Sequence, residues 1–206
     1  MTISGLKLHY VVKDYGGFGG PIRMLLDDAG VDYEYNYIPF KEEFLTKVRY
    51  QWVEELGHPF DCAPMIELDG KRYGASQPII RFLSKKMGKY IPTNDLDAEQ
   101  FVDATTDYAM DWARTIFKAI HVTGEEGIEE YKKNDLDKFF KRFDRIYAVH
   151  EGPYALGQEI SYCDFYVYIV MSTGPNKEFI SNYPNMAALA EAIRARPNLQ
   201  EALKHF

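Results

Sequence analysis

The pattern of this chain changes once, and that change constrains the fold more than any single motif. From Leu6 to about Met87, strand-like and helix-like pieces alternate. Leu6-Lys7-Leu8-His9-Tyr10 switches between apolar and polar residues, the period of a half-buried strand. Gly16-Gly17-Phe18-Gly19-Gly20 is a flexible turn, and Pro21 suits the first turn of a helix that runs through Met24 and Leu25 to Gly30. Tyr33 to Ile38 alternates again, and a polar helix from about Glu42 to Leu56 closes at Gly57-His58-Pro59. Met65 to Leu68, Asp69-Gly70 and Lys71 to Tyr73 read as a hairpin, because Asp-Gly between alternating segments is a strong turn signal. Ser76 precedes a helix with Ile79, Ile80, Leu83 and Met87 on one side. The predicted order is β-α-β-α-β-β-α.

Everything beyond Asp97 reads as helix. Phe101, Thr105, Tyr108, Trp112, Ile116 and Ala119 step by three and four residues. Further helices are expected around Ile128 to Ile146, Ser161 to Ser172, Pro184 to Arg194 and Leu199 to Phe206. The fold class is therefore α/β plus all-α, with an N-terminal domain at residues 1–87, a linker at 88–97 and an all-helical domain at 98–206.

Composition narrows the function classes. The 206 residues are 46% hydrophobic and 27% charged, ordinary globular values. A net charge of −7 argues against a nucleic-acid partner, which calls for a basic patch. No apolar run approaches the roughly 18 residues of a membrane span, and the opening residues lack a signal-peptide pattern, so a cytoplasmic protein is expected. Two cysteines make neither a disulfide scaffold nor a four-ligand zinc site, and no metal is expected.

Several local patterns carry chemistry or folding information. In Ile160-Ser161-Tyr162-Cys163-Asp164-Phe165, Ser161 fits an N-cap, Asp164 can return to its amide, and Ile160 and Phe165 occupy the staple positions. Ser76 fits an N-cap as well, or an anion site formed by its hydroxyl and the free amides of a helix start. Tyr10 ends a strand just before a glycine-rich turn, where packing and ligand binding both place tyrosines. Ala63-Pro64 enters the third strand, and base rates favour a trans bond. Asp103, Asp107 and Asp111 share one helix face, either solvated or awaiting a cation from a ligand or partner. Cys62 has no histidine at an activating spacing, and Cys163 sits in the apolar helix.

Taken together, the element order, Ala63-Pro64, the Asp69-Gly70 hairpin, Ser76, the Ser161-to-Asp164 box and the ending Tyr183-Pro184 through Arg196-Pro197 resemble the cytosolic glutathione transferases, over essentially the whole chain. The resemblance implies a thioredoxin-like N-terminal domain and an all-α C-terminal one. Its tyrosine-type branch (alpha, mu, pi and sigma) implies that Tyr10 stabilises the thiolate of glutathione, the co-substrate. It further implies Trp52 at the glycine end, Cys62, Ala63 and Pro64 along the cysteinyl backbone, and Ala75 and Ser76 at the γ-glutamyl carboxylate. Asp111 would reach the partner's glutathione across a homodimer, with Phe60 as the aromatic key in the interface.

A small apolar electrophile would lie against Tyr15, Phe18, Tyr108 and Trp112. The chain also departs from the family pattern. The stretch from Tyr10 to Arg23 is about two residues longer, which makes Tyr15 a second candidate for the thiolate. Phe18 stands where an arginine is frequent, Glu54 and Glu55 where a lysine is, and Cys62 and Ala75 where glutamines are.

Overall fold

The computed structural model describes residues 3–206. Strand β1 (Leu6–Tyr10) leads through a tight 3-10 turn at Gly17–Gly19 into helix α1 (Gly20–Asp28), and β2 (Tyr33–Tyr37) follows. A crossover helix returns the chain beside the strand it left, so β1 and β2 pair in parallel, Leu6 opposite Tyr33 and Tyr10 opposite Tyr37. The next helical stretch opens as wide π-type turns over Phe40–Val48 and tightens into α2 (Arg49–Glu54). β3 (Met65–Leu68) and β4 (Lys71–Gly74) form the expected hairpin, with Asp69 and Gly70 both at positive φ. β3 runs antiparallel to β1, with Leu8 opposite Ile66, and the sheet order is β2-β1-β3-β4. α3 (Ser76–Met87) completes this layer.

Helix α4 (Leu96–Lys118) begins the second region, followed by α5 (Gly124–Tyr131), α6 (Asp137–Tyr147), α7 (Tyr162–Met171), α8 (Pro184–Arg194) and the short α9 (Gln200–Leu203). π-type turns join α4 to α5 and α5 to α6, so the second expected helix is two α segments. All ten residues of α7 are buried, and this helix packs on both α1 and α4. It is the shared core of the two regions. An amphipathic helix has one face to bury; α7 is apolar all round because it has neighbours all round.

Its start is closed in the expected way. The Ser161 amide donates to the Asp164 carboxylate at 2.7 Å, completing a capping box. The same carboxylate accepts from the Ala155 amide at 2.9 Å and the Tyr147 hydroxyl at 2.8 Å.

The regions are also joined by polar contacts. Arg81 on α3 meets Asp103 on α4 at 2.9 Å, and Gln77 meets Asp107 at 2.6 Å. Two of the three aspartates read as a solvated face thus grip α3 instead. The match works because Gln77 and Arg81 are themselves one turn apart, in step with Asp107 and Asp103. At the far end of α1, the buried Asp28 carboxylate takes Arg196 at 2.6 Å and the Tyr90 hydroxyl at 2.8 Å, while its backbone carbonyl takes Asn198 at 3.0 Å.

Candidate functional site

The end of β1 and the starts of α1 and α3 meet on one side of the molecule. Tyr10 projects there, only 3% exposed. Its hydroxyl oxygen accepts the Phe18 amide at 2.6 Å. The glycine-rich turn folds directly against the ring. A Cβ on Gly17 would lie 2.5 Å from the Tyr10 hydroxyl, and one on Gly19 would lie 2.5 Å from the ring. Gly17 is also at φ +65°, where side chains are strained. Those glycines are needed for close approach to Tyr10. Burial pushes the Tyr10 hydroxyl up to about 12, against the pull of the Gly19 and Phe18 amides. It is a neutral phenol whose lone pair is occupied and whose proton is free to be donated.

Tyr15 does something else. Its hydroxyl donates to Asp27 at 2.5 Å, and its ring lies 3.9 Å from the Arg23 guanidinium. Arg23 also covers Tyr35 and donates to the carbonyls of Lys13 (3.0 Å) and Asp14 (2.8 Å). Tyr15 therefore clamps the 13–15 loop to α1. Neither the electrophile wall nor the second thiolate partner expected of it fits that geometry, because its proton is already committed to a carboxylate.

At the other helix start, Ser76 is not an N-cap. The cap is Ala75, at φ +66° and ψ 127°, and no side chain closes the α3 amides. A non-glycine residue held there is strained by about 1–3 kcal/mol, and such strain gathers at ligand sites. The hydroxyl of Ser76 and the first amides of α3 are thus left for something else. Between the two helix starts, Ala63-Pro64 is a cis peptide, contrary to the base-rate expectation. Cys62 beside it is exposed, and burial, with Asp61 nearby, pushes its thiol up, away from nucleophilic activation.

Trp52 is buried with Ile38, Phe44 and Met65 in a satellite core, its indole edge-on to Phe44 at 5.5 Å. Rather than standing as an open wall at the glycine end, it supports the segment that leads to Ala63. Phe60 is 48% exposed on that segment, edge-on to His58 and covering Gly74. Asp111 is exposed and already has a cation in its own helix, Arg114 at 3.5 Å. An exposed pair of this kind contributes at most about 1 kcal/mol.

A narrow apolar cavity opens beside the Tyr10 turn. Gly17, Phe18 and Pro21 form one wall, Ala113, Ile116, Phe117, Ile120 and His121 a second, and Tyr166, Ile169, Val170 and Thr173 the third. Phe18 lines it; Tyr108 and Trp112 do not. Trp112 is fully buried in the helical core, stacked on Phe139 and Phe143 and donating to Tyr131 at 2.6 Å. Tyr108 is exposed under the Arg142 guanidinium. The wall that α4 and the turn after it do present, Ala113-Ile116-Phe117-Ile120, has helical spacing of its own, one step around the helix from Tyr108 and Trp112. A larger, solvent-open hollow under the linker is lined by Asp28, Tyr90 and Arg196, with Tyr10 not among its residues. Among the described residues no three His, Cys, Asp or Glu side chains are grouped to hold a metal ion.

Residues 106–205 match the family model for the glutathione S-transferase C-terminal domain. Over 96% of this chain and 87% of each relative, the sequence is 24% identical to glutathione S-transferase A3 of Mus musculus and 27% identical to glutathione S-transferase A3 of Homo sapiens. Among solved structures, the pi-class glutathione S-transferase of Onchocerca volvulus superposes with a TM-score of 0.82 at 19% identity, over 98% of this chain and 93% of its own. The prostaglandin synthase D of Nilaparvata lugens superposes with a TM-score of 0.78 at 25% identity, over 97% of both chains. A four-stranded mixed sheet with its helices, joined to a larger helical domain through α7, is the fold these proteins share, and the chain is similar to glutathione transferases over nearly its whole length.

Proposed function

We propose that this protein is an enzyme that binds glutathione between the starts of α1 and α3 and uses the Tyr10 hydroxyl to hold its thiol as a thiolate for attack on a small apolar electrophile. The observation that carries this reading is the state of Tyr10: buried, neutral, accepting from the Phe18 amide and with its proton unassigned. A cysteine-like thiol has a pKa near 8.5, so at pH 7 only a few per cent is ionised. A donor aimed at sulfur favours the charged form, and the start of α1 adds a favourable dipole. Ser76 and the open amides of α3 suit the γ-glutamyl carboxylate, and Ala63 and Pro64 the cysteinyl backbone. The apolar cavity beside Phe18 takes the electrophile. Unpaired Cys62 and Cys163 fit the reducing cytoplasm in which we place the protein.

Retention on immobilised glutathione followed by a conjugation assay tests the reading. Tyr10→Phe is expected to keep binding and lower turnover at least about tenfold, one pKa unit's worth of thiolate. Unchanged turnover in that variant refutes the role of Tyr10. A binding or structural protein is the competing reading, favoured by Phe18, Cys62 and Ala75 standing where polar anchors are usual. Retention on glutathione without measurable conjugation would establish it.

The site is proposed to work in a homodimer. Phe60 is exposed on a segment that also exposes Tyr50, Val53 and Leu56, an apolar set that calls for a cover. Asp111, tied only to exposed Arg114, is free to exchange that partner for an ammonium of the neighbouring site. Light scattering is expected to give about twice 23.9 kDa, and Phe60→Ala to lower mass and turnover together. A fully active wild-type monomer would remove both Phe60 and Asp111 from the mechanism.

A further inference from the structure

One polar group in the cavity lining has no hydrogen bond in the fold. Tyr166 lies one turn into α7, 2% exposed, and its hydroxyl makes no hydrogen bond. Two other deeply buried tyrosine hydroxyls are engaged: Tyr162 donates to Asp103 and Tyr147 to Asp164. A phenol buried among Ile169, Val170 and Phe18 without a partner is destabilising, and a phenylalanine would fill the same space without that cost. Tyr166 lines the cavity together with Gly17 and Phe18, the turn whose Phe18 amide holds the Tyr10 hydroxyl, and the side chains of Ser76, Tyr10 and Arg81 lie near its own hydroxyl. The Ser76 hydroxyl lies beside it but outside hydrogen-bonding geometry. Burial pushes the Tyr166 hydroxyl upward, so it is a neutral donor.

We infer that Tyr166 donates a second hydrogen bond to the thiolate of bound glutathione, so that the helical domain supplies part of the thiol site. This rests on the function proposed above. Three hydroxyls from three elements then converge: Tyr10 from the end of β1, Ser76 from the start of α3, and Tyr166 from α7. Two of the three come from the sheet domain, and the third rides on the helix that both regions share. A donor on α7 strengthens the thiolate only when the two regions are docked in register. The Arg81–Asp103 and Gln77–Asp107 contacts fix that register directly between Ser76 and the helical layer.

The test is the ionisation of the bound thiol. Ultraviolet absorbance of the thiolate, titrated in the binary complex with glutathione, gives its pKa for wild type, Tyr10→Phe and Tyr166→Phe, alongside melting temperature. Tyr166→Phe is expected to raise the bound thiol pKa by about half a unit to one unit, and to lower turnover near pH 6.5 about three- to tenfold with little loss at pH 9. Its melting temperature should be unchanged or higher, because the variant removes an unpaired buried hydroxyl. A bound thiol pKa equal to wild type overturns the inference, as does a melting temperature that falls with an unchanged pH profile, which makes Tyr166 structural. A loss confined to one electrophile at all pH values also overturns it and moves the donor to the electrophile. If wild type itself does not bind glutathione, or leaves its thiol pKa unchanged, the proposed function fails and takes this inference with it.

Discussion

Two helices in this molecule begin at a serine ahead of an apolar run, and they begin in opposite ways. At α7 the start is closed: the Asp164 carboxylate takes two amides and a tyrosine hydroxyl, and Ser161 is in ordinary extended geometry at φ −123°. At α3 nothing is closed: the capping position is a strained alanine, and the Ser76 hydroxyl makes no bond to its own helix. A closed helix start is a folding device. An open and strained one leaves its first amides without a side-chain cap. The residue type is the same, so the difference lies in what surrounds it.

Asp164→Ala should break the closed start most severely. It leaves two amides and a hydroxyl unpaired in the core, about 3 kcal/mol or more in sum. For a chain of this size that lowers the melting temperature by about 6–12 °C, while glutathione affinity of the folded fraction stays near wild type. A small change in melting temperature would mean that water enters the α7 start and the closure is incomplete. Ser76→Ala should do the reverse. Glutathione binding weakens by about 1–3 kcal/mol, the range for leaving a polar partner unsatisfied, and the melting temperature barely moves because no cap is lost. Calorimetric titration and thermal melting on the same preparation separate the two variants. A lost melting temperature with normal affinity would return Ser76 to the role of a cap.

The smallest effect is the most specific. Ala75→Gly relieves a backbone that only glycine adopts without strain, and is expected to stabilise the apoprotein by about 1 kcal/mol, or about 2–4 °C. Ser161→Gly has no such strain to relieve and should only destabilise. A destabilising Ala75→Gly would show that the strain at φ +66° is offset by packing of the methyl group.

The fold was legible because its signals are local. Alternation in Leu6–Tyr10, the Asp69-Gly70 turn and the capping box each report on neighbours in sequence. Local geometry was legible where a residue's surroundings come from its own turn, as for Tyr10 and Phe18. It was hidden where a partner arrives from elsewhere. Nothing near Tyr15 shows that Asp27 takes its proton, and Trp112 cannot be told from a pocket wall until Phe139 and Phe143 cover it. Asp103 and Asp107 look solvated until α3 is laid beside them. Tyr166 disappears in an apolar run because its significance is a missing bond, which no spacing encodes.

The Asp28 junction sets an order on assembly. A carboxylate made early in synthesis waits for Tyr90 and then for Arg196 and Asn198, about 170 residues downstream. On the ribosome the sheet and the Arg81–Asp103 and Gln77–Asp107 contacts can form first, but the Asp28 junction stays open until Arg196 and Asn198 have emerged. A polypeptide stalled before Arg196 therefore holds a folded sheet whose Asp28 carboxylate still lacks its cation.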